Sequence, residues 1–359
     1  MTYTQPYDKN KLGVRKRKEK RQITPERGIF LFFVFFNNKK RVYIMSNSSD
    51  NKIKSGYLLA DVDLYTNIVI SITNLCNLSC GYCIRGSGPI IKEFLSFKTV
   101  KNILNFIKSR NSGNRQILQL TGGEVFLHKD IFNIIKYALS LGFLVRIQTN
   151  GILLPSLKQN ELELLSDKNI VLKISLDGWD EETHEFYRGK KTFKKVLRGL
   201  ICIRKITSQI GLKTVIHEKN FSKIHKMLDL CLSLNIKSWS HNILKQGGRC
   251  LNKNTITELD VLEKLIPYYN KTKYRKMLGG SNVLIYYLLN YQRLNSLPIY
   301  YFVHSNGNVY LTDNVTDKNK VGSVKEDFKK LFCLKNSEII PSRRVDSKIL
   351  EYVESKLLI

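Results

Sequence analysis

Short β-rich runs alternate with stretches of helical period along most of the chain. Strand-like runs fall at 67–72 (NIVISI), 116–120 (QILQL), 144–148 (LVRIQ), 170–176 (IVLKISL), 212–216 (LKTVI) and 238–243 (SWSHNI). Between them apolar residues recur three and four apart: Val100, Ile103, Leu104 and Ile107; Ile131, Ile134, Ile135 and Ala138; Phe193, Val196, Leu197 and Leu200; and Ile224, Met227, Leu228, Cys231 and Leu232. That spacing is the mark of a helix with one buried face. Six β units with helices between them predict a parallel sheet, because parallel neighbours need a crossover and the crossover is usually a helix. The strands read as too apolar to leave one face wet. The expected fold is therefore α/β, a partial (β/α)6 TIM-like barrel with its active groups on the loops that follow the strands.

The pattern changes after Ile243. Gln246-Gly247-Gly248-Arg249 reads as a loop, and Leu262, Leu265 and Ile266 as a helix that Pro267 ends. Apolar runs at 299–304 and 309–312 flank Ser305-Asn306-Gly307-Asn308, a hairpin signal. The organisation predicted is a lead-in at 45–66, a core barrel at 67–245, a small α+β extension at 246–335 and a tail at 336–359.

Residues 1–44 fit poorly with this plan. A basic polar stretch leads into the aromatic run 29–36 (IFLFFVFF), and more positive charge follows. A signal peptide would show small residues at a cleavage site, and these are missing. The remaining readings are a surface anchor, or a natural start at Met45 with the upstream part not native. No apolar run approaches the roughly 20 residues of a membrane-spanning helix, so no transmembrane segment is expected.

Composition supports a folded chain: of 359 residues, 43% are hydrophobic and 25% charged. Lys and Arg outnumber Asp and Glu by 59 to 30, a net charge of +29. Residues 1–44 hold 12 basic and 3 acidic residues. Elsewhere the surplus is spread as Lys through Asn/Ile/Lys-rich sequence, without repeated Arg–aromatic interleaving. Biased composition explains this better than a nucleic-acid partner does. Seven cysteines, an odd number in a large chain, argue against a secreted disulfide framework and for a reducing, cytoplasmic setting with metal-binding thiolates.

Three of the cysteines form the spacing C-x3-C-x2-C: Cys76, Cys80 and Cys83, on the loop after the first strand. Thiolates so close together suit one face of an iron–sulfur cube, leaving one iron open. A zinc site is the competing reading, but zinc loops usually pair C-x2-C with a second, distant pair. Thr121-Gly122-Gly123-Glu124 follows the second strand directly. Its glycines permit close backbone approach to a ligand, and its carboxylate can accept from an ammonium group. Of the other cysteines, Cys231 and Cys202 read as packing. Cys250 lies on a polar loop, where a substrate-side thiol has a place. His217, His241 and His304 lie at strand ends and read as hydrogen-bonded structure.

With these motifs the chain resembles the radical S-adenosylmethionine (SAM) superfamily over about 67–243. The matching residues are Cys76, Cys80 and Cys83, then Gly122, Gly123 and Glu124, then Gln148-Thr149-Asn150-Gly151 and Ser175-Leu176-Asp177-Gly178. The resemblance implies a [4Fe–4S] cluster on the three cysteines whose open iron chelates SAM. Reduction then cleaves SAM to a 5′-deoxyadenosyl radical that abstracts hydrogen from a substrate. It also implies that Tyr82 lies by the adenine, that Gly123 and Glu124, with Gly122 beside them in the cofactor-binding motif, receive the SAM amino group, and that Thr149 and Asn150 contact the sugar. Ser175 with Arg188 resembles a pair that holds the SAM carboxylate in peptide-modifying members; for Asp177 and Arg188 the alternative is a structural ion pair.

The stretch 302–312 resembles the hairpin of SPASM and twitch domains, which are appended to radical SAM enzymes that modify peptides and proteins. Thr312 stands where a cluster-binding cysteine is usual, and Cys333 is isolated, so the resemblance implies a cap without an auxiliary cluster. The implied function is modification of a ribosomally made peptide, by cross-linking, epimerisation or another hydrogen abstraction. A flavodoxin- or ferredoxin-like electron donor and a separate peptide-recognition protein are the implied partners. The alternatives are a radical SAM enzyme acting on a nucleotide or cofactor precursor, and a non-catalytic cluster protein that binds nucleic acid.

Overall fold

The computed structural model describes residues 29–36, 39–46, 67–110, 116–236, 238–251, 255–269, 271, 274, 300–310 and 320–324. Thr312, Cys333 and the tail at 336–359 lie outside them. The chain divides into two compact units, Met1–Leu64 with Glu351–Ile359, and Tyr65–Leu350. In the first, β1 (Ile29–Phe36) and β2 (Lys39–Ser46) pair antiparallel in register from Ile29↔Ser46 to Phe36↔Lys39. The aromatic run of the front segment is thus a strand, and Met45 lies inside its partner.

In the second unit the chain order is β3 (Asn67–Thr73), α1 (Phe97–Arg110), β4 (Ile117–Gly122), α2 (Ile131–Ser140), β5 (Leu144–Thr149), α3 (Gln159–Leu164) and β6 (Ile170–Ser175). It continues with α4 (Glu181–Arg188), α5 (Phe193–Arg204), β7 (Ile210–Ile216), α6 (Glu218–Phe221), α7 (His225–Ser233) and β8 (Ser238–Ile243). Last come α8 (Glu258–Tyr269), β9 (Tyr300–Val303), β10 (Asn308–Tyr310) and β11 (Lys320–Ser323). Strands β3 to β8 pair parallel in sequence order. All six strands expected from the hydrophobic pattern are present, in the α/β arrangement of a partial TIM-like barrel.

The hairpin signal also forms, and its placement is informative. β9 lies parallel against β3, and β10 and β11 add antiparallel beyond it, so the nine strands make one sheet in the order β11-β10-β9-β3-β4-β5-β6-β7-β8. Gly307, at φ +93°, supplies the turn between β9 and β10. Pro267 lies within α8 rather than ending it. Without an N–H, Pro267 cannot bond the carbonyl four residues back, and the helix stops two residues later at Tyr269.

The apolar reading of the strands holds for one face only; the other is polar and half-buried. Leu118, Leu120, Val145, Ile147, Leu172, Ile174 and Leu212 are fully buried with the helix stripes in one core. The alternate residues Gln119, Arg146, Gln148, Lys173 and Lys213 are half-buried. The period of two was present in QILQL, LVRIQ and VLKIS, where the flanking apolar residues obscured it. Lys173 spans β7 to donate to Ser238 Oγ at 2.6 Å, over Gly211, where a Cβ would lie 2.5 Å from the lysine Nζ. Burial and the nearby Arg146 and Lys213 charges pull its pKa down to about 8.

Close packing of helix on loop depends on Gly199 of α5, where a Cβ would lie 2.0 Å from the backbone oxygen of Gly151. Gly199→Ala is therefore expected to cost about 1–3 kcal/mol by overpacking, whereas exposed Lys195→Ala on the same helix should stay within about 0.5 kcal/mol. Urea unfolding of the two variants against the parent chain checks this.

Candidate active site

The loops that follow the strands surround one cavity. It is lined by Cys76, Cys80 and Cys83 from the long loop between β3 and α1, and by Gly122 and Gly123 after β4. Thr149 and Asn150 at the end of β5, Ser175 at the end of β6, Tyr82 and Arg188 complete this part of the wall. Of the site residues expected from the sequence, only Glu124 is absent from the lining.

Glu124 is fully buried and occupied by its own chain. Its carboxylate accepts from Thr149 Oγ1 at 2.7 Å, from the Asn150 backbone N–H at 2.8 Å and from the Phe126 N–H at 3.3 Å. Burial raises its pKa, and these three donors oppose that rise. The geometry makes Glu124 a tie between the β4 and β5 loops. The two glycines likewise serve the chain itself. A Cβ on Gly122 would lie 2.3 Å from Thr73 O, and one on Gly123 2.2 Å from Leu75 O. Their lack of side chains lets Gly123 and Glu124 donate backbone hydrogen bonds to Thr73 and Leu75, at 2.7 and 2.8 Å. The GGE loop is thereby pressed onto the start of the cysteine loop. Asn150 adds a further link, donating to Asn77 Oδ1 at 2.7 Å.

Asp177, fully buried after β6, collects the other side of the site. It pairs with Arg188, with Nε to Oδ2 at 2.6 Å and the second guanidinium nitrogen to Oδ1 at 3.3 Å. It also accepts from the Tyr82 hydroxyl at 2.5 Å and from the Val215 N–H at 2.9 Å. Burial alone would raise the Asp177 pKa, but Arg188, His184 and the Tyr82 hydroxyl outweigh it and hold the carboxyl below its ordinary value. The ion pair weighed against ligand contact from the sequence is thus formed, and Arg188 lines the cavity as well. Its guanidinium lies 5.6 Å over the Tyr82 ring.

Helix α4, which carries His184 and Arg188, was not anticipated. Its signals are nonetheless in the sequence: Asp180 caps Thr183 N at 2.9 Å, Glu181 and Glu182 fill the first turn, Arg188 the last, and Gly189 follows at φ +98°. His184 is fully buried and accepts from the Asp177 N–H at 3.1 Å. Burial and Arg188 push its pKa down to about 4.

Burial pushes the Cys76 thiol up to about 12 and raises that of Cys80. These thiols are neutral at pH 7, and binding of a metal group by them releases protons. Among the described residues no three His, Cys, Asp or Glu side chains gather around one point as a single metal ion requires. The three thiols instead face a shared cavity with Arg85, Arg188, Lys213, Lys245 and Arg249 in its wall and, among the described residues, no Asp or Glu. Soft thiolate donors in a positive setting fit an anionic iron–sulfur group. Cys202, Cys231, Cys250, His217, His241 and His304 lie outside the lining; Cys231 is fully buried on α7 and Cys250 is nearly so.

Residues 70–231 match the family model of the radical SAM superfamily. An uncharacterized protein of Methanocaldococcus jannaschii is 26% identical over 72% of this chain and 92% of its own length. An AdoMet-dependent heme synthase of Methanosarcina barkeri is 28% identical over 58% of this chain and 59% of its own. The antilisterial bacteriocin subtilosin biosynthesis protein AlbA of Bacillus subtilis is 28% identical over 50% of this chain, and the match spans 39% of that protein. Among solved structures, Streptococcus suis SuiB bound to its precursor peptide SuiA superposes with a TM-score of 0.61 at 18% identity, over 80% of this chain and 70% of SuiB. The enzyme anSMEcpe, with bound AdoMet and a Cp18Cys peptide, gives 0.60 at 18% identity, over 78% and 84%. At those identities the likeness is one of fold. Among the described residues no helix is long and apolar enough to cross a membrane.

Replacing Asp177 with Asn leaves the buried Arg188 guanidinium without its carboxylate and is expected to cost about 3–5 kcal/mol at pH 7. Because the folded-state pKa of Asp177 is depressed, its stabilisation is complete above the unfolded value of about 4 and is lost as pH falls through the lower folded value. Denaturant midpoints of the two proteins should therefore differ most near neutrality and converge on strong acidification.

Proposed function

We propose that this chain, whose residues 70–231 match the radical SAM family model, is an enzyme of that superfamily that uses SAM and an iron–sulfur cluster to modify a ribosomally made peptide. The observation that carries the reading is the single cavity that brings Cys76, Cys80 and Cys83 together with Tyr82, Ser175 and Arg188. The names of the bacteriocin-biosynthesis relative and of the peptide-bound structures support a peptide substrate.

Cys76, Cys80 and Cys83 would hold a [4Fe–4S] cluster, which when bound would supply the one-electron chemistry for reductive cleavage of SAM. The rest of the wall binds and orients. Ser175 and Arg188 suit the SAM carboxylate, because a guanidinium fork grips a carboxylate through two hydrogen bonds. Asp177 fixes that fork through Nε and one terminal nitrogen. Tyr82, held by its hydroxyl on Asp177 and by its ring on Tyr187 at 5.6 Å, offers an aromatic surface for the adenine. Thr149 and Asn150, each engaged by neighbouring loops, bound the sugar side. Gly122 and Gly123 set the position of the strand-end backbone to which the amino group of SAM binds.

A second reading has an observation in its favour. Among the described residues the cavity wall has five cationic side chains and no carboxylate, which suits a substrate bearing several carboxylates. The heme-synthase relative supports such a cofactor precursor. The peptide reading is preferred because the bacteriocin-biosynthesis relative and those superposable structures that contain a peptide both support it.

Anaerobically reconstituted protein is expected to bind about four irons and to convert SAM to 5′-deoxyadenosine with a low-potential reductant. The triple variant Cys76→Ala, Cys80→Ala, Cys83→Ala should do neither. A single zinc with no iron would remove the reading, and iron with no SAM turnover would favour a binding protein. Supplying a peptide encoded beside this chain's gene, in parallel with a polycarboxylate tetrapyrrole, separates the two substrate classes by which one gains or loses mass.

A further inference from the structure

The loop after β8 reaches back across the sheet to the cysteine loop. Arg249 donates from Nε to Cys80 O at 3.0 Å, and from its two terminal nitrogens to Gly86 O at 2.7 Å and Ser87 O at 2.6 Å. Its backbone N–H donates to Cys83 O at 3.1 Å. One residue thus engages four carbonyls within 80–87, the stretch that contains two of the three site cysteines. No regular secondary structure spans this stretch, so those carbonyls need partners supplied from elsewhere.

The approach is built into the neighbouring sequence. Gly248 has φ +55°, and a Cβ there would lie 2.3 Å from Cys83 O and 2.6 Å from the carbonyl of Ile84. Gly247, at φ +144°, exchanges two backbone hydrogen bonds with Cys250, at 3.0 and 2.9 Å, which close the turn that presents Arg249. The same chain segment, just before the turn, supplies Asn242, Ile243, Leu244 and Lys245 to the cavity wall. The wall facing a substrate and the loop carrying the thiols are therefore mechanically joined at one guanidinium.

We propose that Arg249 is the positioning residue of the cysteine loop: its guanidinium latches the carbonyls of Cys80, Gly86 and Ser87 so that Cys80 and Cys83 face the cavity. A planar fork with five donors can meet three carbonyls at fixed angles, which a lysine ammonium on a flexible stem cannot reproduce. This role rests on reading the three cysteines as cofactor ligands, but the latch itself is a property of the polypeptide.

Amide hydrogen exchange on the metal-free full chain tests the latch independently of any cofactor. Arg249→Met should speed exchange in peptides covering 76–88 about tenfold or more, with β4 to β7 unchanged. Arg249→Lys should give an intermediate acceleration. Gly248→Ala, which keeps the guanidinium but pushes the turn away, should match Arg249→Met. In reconstituted protein, Arg249→Lys should retain iron but shift the cluster's electron paramagnetic resonance g-values and midpoint potential, which a merely structural role would leave alone. Unchanged exchange over 76–88 in Arg249→Met, or acceleration spread equally over the sheet, overturns the proposal. If that variant does not fold, the comparison of Arg249→Lys with the parent decides in the same way. Parent protein that holds no iron while the exchange results hold would instead fail the cofactor reading and leave the latch standing.

Discussion

A fully buried carboxylate must be surrounded by donors or it does not stay ionised, and Asp177 is the carboxylate on which this site turns. Its side chain engages Arg188 of α4, Tyr82 of the cysteine loop and the backbone of β7, while its own N–H and carbonyl engage His184 and Asn220. Four separate parts of the chain are thereby placed relative to one atom group. The desolvation cost of the pair is offset only because nearly every lone pair has a partner, so the arrangement is stiff as well as charged.

Glu124 does the corresponding job on the opposite side of the cavity. It stitches the β4 and β5 loops, and the adjacent glycines press that pair against the β3 loop. Arg249 closes the remaining side. Buried Asp177 and Glu124, with half-buried Arg249, thus hold a set of strand-end loops that contain little regular structure. The cavity between them stays open for ligands whose own charges complete it. Its lining is positive, which suits thiolates, a carboxylate and an anionic cluster, and disfavours a strongly cationic substrate unless that substrate brings counter-charges.

The addition of β9, β10 and β11 beside β3 has a physical consequence of its own. A parallel sheet ending at β3 would expose that strand's edge next to the cysteine loop. The later segment covers it, and Phe302 of β9 reaches the cavity wall, with Arg85 of the cysteine loop 5.1 Å over its ring. Chain far downstream in sequence thereby becomes part of the cavity.

Local sequence determined a good deal of this. The six parallel strands and the main helices follow from periodicity, because burial of one face is decided residue by residue along an element. The three-cysteine spacing and the motifs after the second, third and fourth strands named much of the wall on the β3 to β6 side, because strand-end loops in such a sheet converge at one end, but not Lys213, Asn242, Lys245, Arg249 or Phe302. The polar alternation inside QILQL and LVRIQ and the capping signals of α4 were present too, though masked by apolar neighbours. What only the tertiary structure decided are the contacts between distant segments: Glu124 turned onto Thr149 and Asn150, Arg249 set on carbonyls some 160 residues away, and β9 seated against β3. None of these leaves a periodic trace, since a guanidinium or carboxylate looks the same in sequence whether it meets water, a ligand or the backbone of another loop.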